Sequence, residues 1–377
     1  MIPCKLSSFS TFLLTYSLCG VLTNNGVSVH SLLFRPMGGV TFRAATQSSS
    51  SSSSSTALNA IGVLAKKAKE MELRKYVETG VPASVMEKFH QMKTASGGSS
   101  TVLPAGTTGP VQKVLTKRRG TIAVIAEYKR KLTDEGKSGF IADEVLEPKI
   151  MSKTFREFGA TAVAAMADVA GGTYEDLASI DKEQATSKGD MPGPICVVSS
   201  DLIVDELQLA MAAVAGAQAV VLTYGVVGHD KCRDWIPMAH SIGLESIVSV
   251  ATKEEAQGAI DAGGRIILAN AFAAPDKVDM VADLNVPEGE TICKIASIIA
   301  RDNKQLEEIE EAWFLRDAGF QAVWAGDCLY KAGNDPSEHA GAIIRSMIAK
   351  SSVKWASAKA KGGKGEGARE YLGDLLM

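Results

Sequence analysis

Three charged residues, Glu127, Lys129 and Lys131, close an otherwise apolar run that reads Ile-Ala-Val-Ile-Ala-Glu-Tyr-Lys-Arg-Lys from Ile122 to Lys131. Side chains alternate along a strand, so these three project to one face. Carboxylate and ammonium groups are rarely buried without partners. At the carboxyl end of a barrel strand they would stand where barrel active sites are built. There a carboxylate can move protons, and an ammonium can protonate a carbonyl or hold an anion. The same pattern also suits a strand that runs out into a solvated loop, or a buried ion pair tying strand to strand. The strand alone does not choose between these.

The elements that must position such a group lie downstream. Short apolar runs recur at Ile122–Ala126, Thr161–Ala167, Ile195–Val198, Ala219–Leu222, Ser246–Val250, Ile266–Ala269, Ile292–Ile295 and Ala322–Ala325. Between and after them lie segments of helical character: Ser152–Phe158, Glu175–Ser179, Asp205–Ala215, Lys231–Ile242, Lys253–Ala262, Val278–Asp283, Asn303–Ala318 and Glu338–Ala349. Buried strands each followed by a helix predict an α/β fold, a (β/α)8 TIM barrel. The rival is a doubly wound open sheet, but no Gly-x-Gly-x-x-Gly follows any strand. Gly159, Gly216, Gly243, Gly263 and Gly319 each stand between a helix and the next strand, as a left-handed helix stop requires.

Ahead of the barrel, Ala57–Lys75 is rich in Ala, Leu, Lys, Glu and Met and is expected to be helical, Val81-Pro82 breaks it, and Ala83–Met92 forms a second helix. Ser96–Pro110 is rich in Gly, Ser and Thr and reads as a loop. The expected organisation is a leader over residues 1–55, a helical extension and loop over 56–120, the barrel over 121–350 and a basic Gly/Lys-rich tail over 351–377.

The leader has two parts. Lys5 precedes an apolar run, Phe9–Leu22, that is too short and too polar for a membrane span. It has the form of a secretory signal. After it come Phe34-Arg35-Pro36, then a hydroxyl-rich, acid-free stretch containing the serine run Ser48–Ser55, with the composition of a transit peptide. A signal-like segment followed by a transit-like one resembles the leaders of plastids bounded by extra membranes. A plain secreted protein with a serine linker is the alternative.

Charge and cysteine usage exclude several partners. The formal charge of the chain is −3, and the first 55 residues hold Lys5, Arg35 and Arg43 but no acid, so the body is the more acidic part. Such a body does not favour nucleic acid, or a membrane once the leader is removed. Cys196, Cys232, Cys293 and Cys328 are widely spaced, and neither they nor the five histidines show metal-ligand spacing. They read as buried small residues of a reducing compartment, which favours the plastid over secretion.

The residues in strand order resemble the indole-3-glycerol-phosphate synthase family. Glu127-Tyr128-Lys129-Arg130-Lys131 is similar to its first-strand motif. Gly172-Thr173-Tyr174-Glu175-Asp176-Leu177 resembles its Gly-Ser-x-Glu-x-Leu segment, and Ser200-Asp201-Leu202-Ile203-Val204-Asp205 its Lys-Asp-Phe-Ile-x-Asp segment. Ala215-Gly216-Ala217-Gln218-Ala219-Val220-Val221-Leu222 is similar to Gly-Ala-Asp-Ala-Val-Leu-Leu at the fourth strand. Asn270 keeps the asparagine of the sixth-strand Gly-Ile-Asn. Ser297 falls on the serine of the seventh-strand Glu-Ser-Gly, and Ala325-Gly326-Asp327-Cys328-Leu329 on the eighth-strand Gly-x-x-Leu phosphate turn. The resemblance runs from about Ala57 to Ala349 and includes the N-terminal helical extension.

The resemblance implies a carboxy-lyase of tryptophan biosynthesis that closes an indole ring from an anilino-deoxyribulose phosphate, losing carbon dioxide and water, with no cofactor and no metal. It implies a small sugar phosphate as substrate or ligand, and says nothing of a protein partner. It makes Glu127, Lys129 and Lys131 catalytic, Asn270 and Ser297 substrate-binding, and Gly326 and Asp327 phosphate-binding. Strand-end capping would account for Asn270 and Ser297 equally, and a left-handed turn for Gly326. Other family positions differ. Ser200 stands for the third-strand lysine, Ser249 for the fifth-strand glutamate, Ala296 for the seventh-strand glutamate and Ile298 for its glycine. Phe272-Ala273 replaces an Arg-Asp, and Leu202 a bulky aromatic. A serine has no accessible cationic state with which to donate a proton as lysine does. Ile298 is expected to crowd a bound oxyanion. Lys129, beside Lys131, is the group best placed to substitute. Three functions are therefore open: the family's enzyme with a rearranged site, a non-catalytic barrel for phosphate-ligand sensing or assembly in a plastid, and another reaction on a sugar phosphate.

Overall fold

The computed structural model describes residues 53–96, 108–117, 120–129, 147–167, 173–301, 305–330 and 336–349. The leader up to residue 52, Lys131, Gly172 and the tail from residue 350 lie outside the described residues.

Eight parallel strands close into a barrel in sequence order: β1 (Ala123–Tyr128), β2 (Ala162–Ala165), β3 (Cys196–Ser199), β4 (Ala219–Thr223), β5 (Glu245–Val250), β6 (Ile266–Ala269), β7 (Cys293–Ile298) and β8 (Ala322–Ala325). The expected TIM barrel is therefore the observed fold. Each expected run contains its strand to within a few residues. The differences matter at β1 and β7, which run on to Tyr128 and Ile298. Glu127 and Ser297 thus belong to strands rather than to the loops after them.

Helices cover the outside. The N-terminal extension supplies α1 (Ser53–Thr79) and α2 (Ala83–Ser96), separated at Gly80-Val81-Pro82, and a short α3 (Pro110–Thr116) precedes β1. Then come α4 (Pro148–Glu157), α5 (Thr173–Thr186), α6 (Leu207–Val214), α7 (Tyr224–Val227), α8 (His229–Ser241), α9 (Lys253–Asp261), α10 (Ala274–Met280), α11 (Gln305–Asp317) and α12 (Pro336–Ile348). The glycines at 159, 216, 243, 263 and 319 all take positive φ, between 88° and 97°, so these helix stops work as expected. Among the described residues no helix is long and apolar enough to cross a membrane.

Strand alternation divides the core into two. One set of side chains, among them Val124, Ala126, Val163, Leu222, Val248, Ala296 and Ile298, packs outward with helical residues such as Met151, Phe155 and Leu209. The other fills the lumen: Ala123, Ile125, Ala162, Ala164, Val198, Val221, Ile247, Leu268, Ile295 and Trp324. The register steps one residue per strand around the closed barrel, so alternate strands contribute to each lumen layer. From the amino end upward, Cys196, Glu245, Cys293 and Ala123 form the floor. Ala162, Ala219, Ile266 and Ala322 lie above it, then Ile125, Val198, Ile247 and Ile295, then Ala164, Val221, Leu268 and Trp324. Glu127, Ser200, Ser249 and Ser297 form the next layer, at the carboxyl ends of the strands.

The floor is sealed by α3, which begins at the last residue of the expected Ser96–Pro110 loop. Val111 and Leu115 of α3 join the lumen cluster, both essentially inaccessible. Helix N-termini leave backbone N–H groups unsatisfied. Here the Glu245 carboxylate accepts from the backbone N–H groups of Val111 and Gln112, at 2.5 and 3.1 Å. The Gln112 amide donates to the Thr291 carbonyl at 2.8 Å. Burial raises the Glu245 pKa, and the two N–H donors oppose that shift. Burial, with Glu245 adding, pushes the Cys293 thiol up to about 12, so this cysteine is held as a neutral packing group.

Candidate active site

Glu127 is the anchor of the barrel mouth. It ends β1 on the lumen side and is buried. The Ser200 hydroxyl donates to its Oε1 at 3.0 Å. Its Oε2 lies 3.5 Å from the ammonium of Lys129, and that ammonium also pairs with Asp327 at 2.5 Å. A continuous chain, Ser200–Glu127–Lys129–Asp327, therefore crosses from β3 through β1 to the end of β8. A buried carboxylate with a hydroxyl and an ammonium as partners meets the requirement that buried charge be paired. Tyr330 braces the same strand end: its hydroxyl donates to the Glu127 carbonyl at 2.8 Å and accepts from the Lys129 N–H at 3.1 Å.

Gly326 is shaped by this chain. It has no positive φ, so the left-handed-turn explanation does not hold. A Cβ there would sit 2.7 Å from Glu127 Oε2 and 3.6 Å from Lys129 Nζ. Absence of a side chain is what lets the Glu127–Lys129 pair lie against β8. Asp327 opens the short 3-10 turn Asp327–Tyr330, and its carboxylate closes on Lys129. A second carboxylate repels a phosphate, so any anion contact at this residue falls to its backbone N–H.

Next around the barrel from β8, the Ser297 hydroxyl of β7 donates to the Asn270 side-chain carbonyl at 3.0 Å. Ser249 faces the same lumen and is nearly inaccessible. Glu127, Ser200, Ser249 and Ser297 are thus one layer, and Asn270 and Gly326 belong to the layer above it. The structure brings together all the expected site residues it describes, with two exceptions. Ala296 and Ile298 alternate outward on β7 and pack with the helices. Ile298 has no positive φ and does not crowd the lumen, because strand β7 continues to it with the ordinary two-residue alternation. Lys131 lies outside the described residues.

Two features were not anticipated. Lys69 of α1 reaches a buried position and pairs with Asp201 at 2.7 Å, just past β3. The Asp201 carboxylate also accepts from the Tyr174 hydroxyl at 2.8 Å and the Gln208 amide at 2.7 Å. Burial raises the Asp201 pKa, and Lys69, Tyr174 and Gln208 all act against the shift. The helical extension is clamped beside the mouth by this group. Asp201 carried a motif signal, but an ordinary lysine on an amphipathic helix gave none. The second is Lys277 of α10, fully buried, which donates to the Ser297 carbonyl and pairs with Glu311, both at 2.5 Å. Glu311 also pairs with Arg301 at 2.6 Å, whose guanidinium lies over the Phe272 ring at 5.5 Å. This network holds the carboxyl end of β7, and so Ser297, from behind. Among the described residues no group of His, Cys, Asp and Glu side chains could hold a metal ion.

A closed (β/α)8 barrel with its polar layer at the carboxyl ends of the strands, under an N-terminal helical extension, defines a class of barrel that works at that face. The chain matches the family model for indole-3-glycerol phosphate synthase over residues 83–272, half of its length, and it belongs to that family. The match ends at Phe272, before β7. A protein named indole-3-glycerol phosphate synthase from Leptospira interrogans is 33% identical over 149 residues, which cover 39% of this chain and 54% of that one. The chain thus spans about half the length of this relative. One of the same name from Streptomyces griseus is 32% identical over 220 residues, covering 57% of this chain and 74% of its own. Another, from Roseiflexus, is 27% identical over 220 residues, covering 56% and 76%.

Proposed function

We propose that this chain binds a sugar-phosphate ligand of the indole-3-glycerol-phosphate synthase kind at the barrel mouth, with the family's ring closure reduced to a trace. One observation carries this reading. By strand register, the lumen layer at the mouth presents one carboxylate and three hydroxyls, Glu127, Ser200, Ser249 and Ser297. The resemblance places a lysine and a second glutamate at positions 200 and 249. Ring closure needs an acid for the sugar carbonyl and the departing hydroxyl, and a base for the ring system. Glu127 supplies a carboxylate. Lys129 supplies an ammonium, but one already shared between Glu127 and Asp327. Losing a general acid or base costs about 10²–10⁴-fold, and two positions are affected. Binding is supported separately: Asn270, Ser297 and the Gly326-Asp327 turn converge on the same end of the barrel.

The test is restoration. In the full chain, Ser200→Lys combined with Ser249→Glu is expected to raise indole formation from the anilino-deoxyribulose phosphate by at least about 10²-fold. No gain in a folded double variant that still binds the substrate would contradict the reading. The two-part leader supports residence in a plastid. A fluorescent fusion of residues 1–55 is expected to coincide with chlorophyll, and secretion would contradict it.

A further inference from the structure

Trp324 is the bulkiest side chain of the lumen cluster, and it occupies the layer immediately beneath Glu127, Ser200, Ser249 and Ser297. Its companions there, Ala164, Val221 and Leu268, bear no polar side-chain atom. Trp324 is only 3% exposed, and its indole nitrogen is buried with no hydrogen-bond partner among the described residues. The contrast with Trp313 is direct: that indole is equally buried, and its N–H donates to the Ser346 carbonyl at 2.9 Å. Buried indole N–H groups usually find an acceptor, and leaving one without is costly. The other buried side-chain atoms without partners among strand residues, the hydroxyls of Ser199 and Ser246, alternate to the outer face. Trp324 therefore carries an orphaned donor in the layer immediately below Glu127 and the three hydroxyls of the mouth.

We infer that Trp324 is a ligand-binding and specificity-determining residue: its indole N–H receives a keto or hydroxyl oxygen of an open-chain sugar phosphate seated in the mouth. The inference rests on reading the mouth as a sugar-phosphate site and names the part of the ligand that reaches deepest. An acceptor oxygen arriving from above removes the cost of the buried donor, so that free energy appears as affinity. The indole also fills the lumen immediately beneath the mouth. That favours a slender oxygen-rich chain at depth and leaves a fused or anilino ring nearer the rim.

The experiment is calorimetric titration of the full chain and of Trp324→Phe with ribulose 5-phosphate and with inorganic phosphate. Phe keeps an aromatic ring and removes the N–H. The expected result is that ribulose 5-phosphate binds about tenfold more weakly to the variant, while inorganic phosphate binds both equally. Equal ribulose 5-phosphate affinity in the two proteins, or binding of inorganic phosphate without ribulose 5-phosphate, would overturn the inference and leave the sugar-phosphate reading to be judged on the anilino compound. Binding of none of the three would overturn both. If the variant does not fold, the indole N–H resonances of the wild-type protein decide. Trp235, Trp313 and Trp355 are each replaced in turn to assign theirs, and the remaining Trp324 resonance is expected to move downfield with ribulose 5-phosphate. A stationary Trp324 signal in the presence of bound ligand would overturn the inference.

Discussion

Lys129 is buried between Glu127 and Asp327, and that pairing governs what its removal does. Lys129→Met leaves a buried carboxylate without its cation. A loss of about 3–5 kcal/mol in unfolding free energy is expected by urea titration. An unchanged midpoint would show that the carboxylates are satisfied without the lysine. Gly326→Ala tests the same contact from the other side. Its methyl would meet Glu127 Oε2 at 2.7 Å, so a destabilisation of about 1–3 kcal/mol is expected in the same titration. A neutral result would mean that the pair relaxes freely. Much of this site was legible from residue type and alternation, since Glu127, Lys129, Asn270 and Ser297 do converge at one end of the barrel. Ile298 shows the limit. Its place in a motif suggested the phosphate side, whereas the alternation of a strand two residues longer than expected turns it outward. Trp324 in sequence reads as ordinary strand core, and only the missing partner of its indole N–H distinguishes it.

At the scale of elements, α1 is clamped beside the mouth and α3 seals the opposite end of the barrel, each through a buried carboxylate. Lys69→Met removes the cation that α1 sets against Asp201. Backbone hydrogen exchange in α1 is expected to accelerate while the strands keep their protection. Unaltered exchange in α1 would show that its packing alone holds it. For α3, the raised pKa of Glu245 gives a pH signature. The native carboxyl keeps its proton at pH values where the unfolded chain has lost it. Stability must therefore fall as pH rises from the ordinary value of 4.5 through the raised folded value. Glu245→Gln removes that slope. The difference in melting temperature between the two proteins is expected to change across this window, and parallel curves would contradict it. The strands were legible because short apolar runs separated by Gly-stopped helices admit few other folds. α3 was not, because a seven-residue helix carries too few turns to show a period, and its purpose lies in Glu245, far away in sequence.

At the scale of the molecule, the fold is that of the family, and the proposed difference lies in the chemistry of the mouth. The barrel closes in order, buries two cores and keeps a polar layer at the end where this family works. That much follows from strand order and alternation. On the proposed reading, activity depends on which groups fill the layer, and hydroxyls stand where the resemblance calls for an acid and a base. The family's fold can persist with such a layer because serines pack and hydrogen-bond without upsetting the barrel, as Ser200 does on Glu127. The most direct measurement is the turnover of the anilino-deoxyribulose phosphate to indole product by the full wild-type chain, with binding of the same compound measured alongside. The account predicts binding together with a rate at least about 10⁴-fold below the typical enzyme value of about 10 s⁻¹. Turnover at an ordinary enzyme rate would contradict it, and would make Lys129 the acid that Ser200 cannot be.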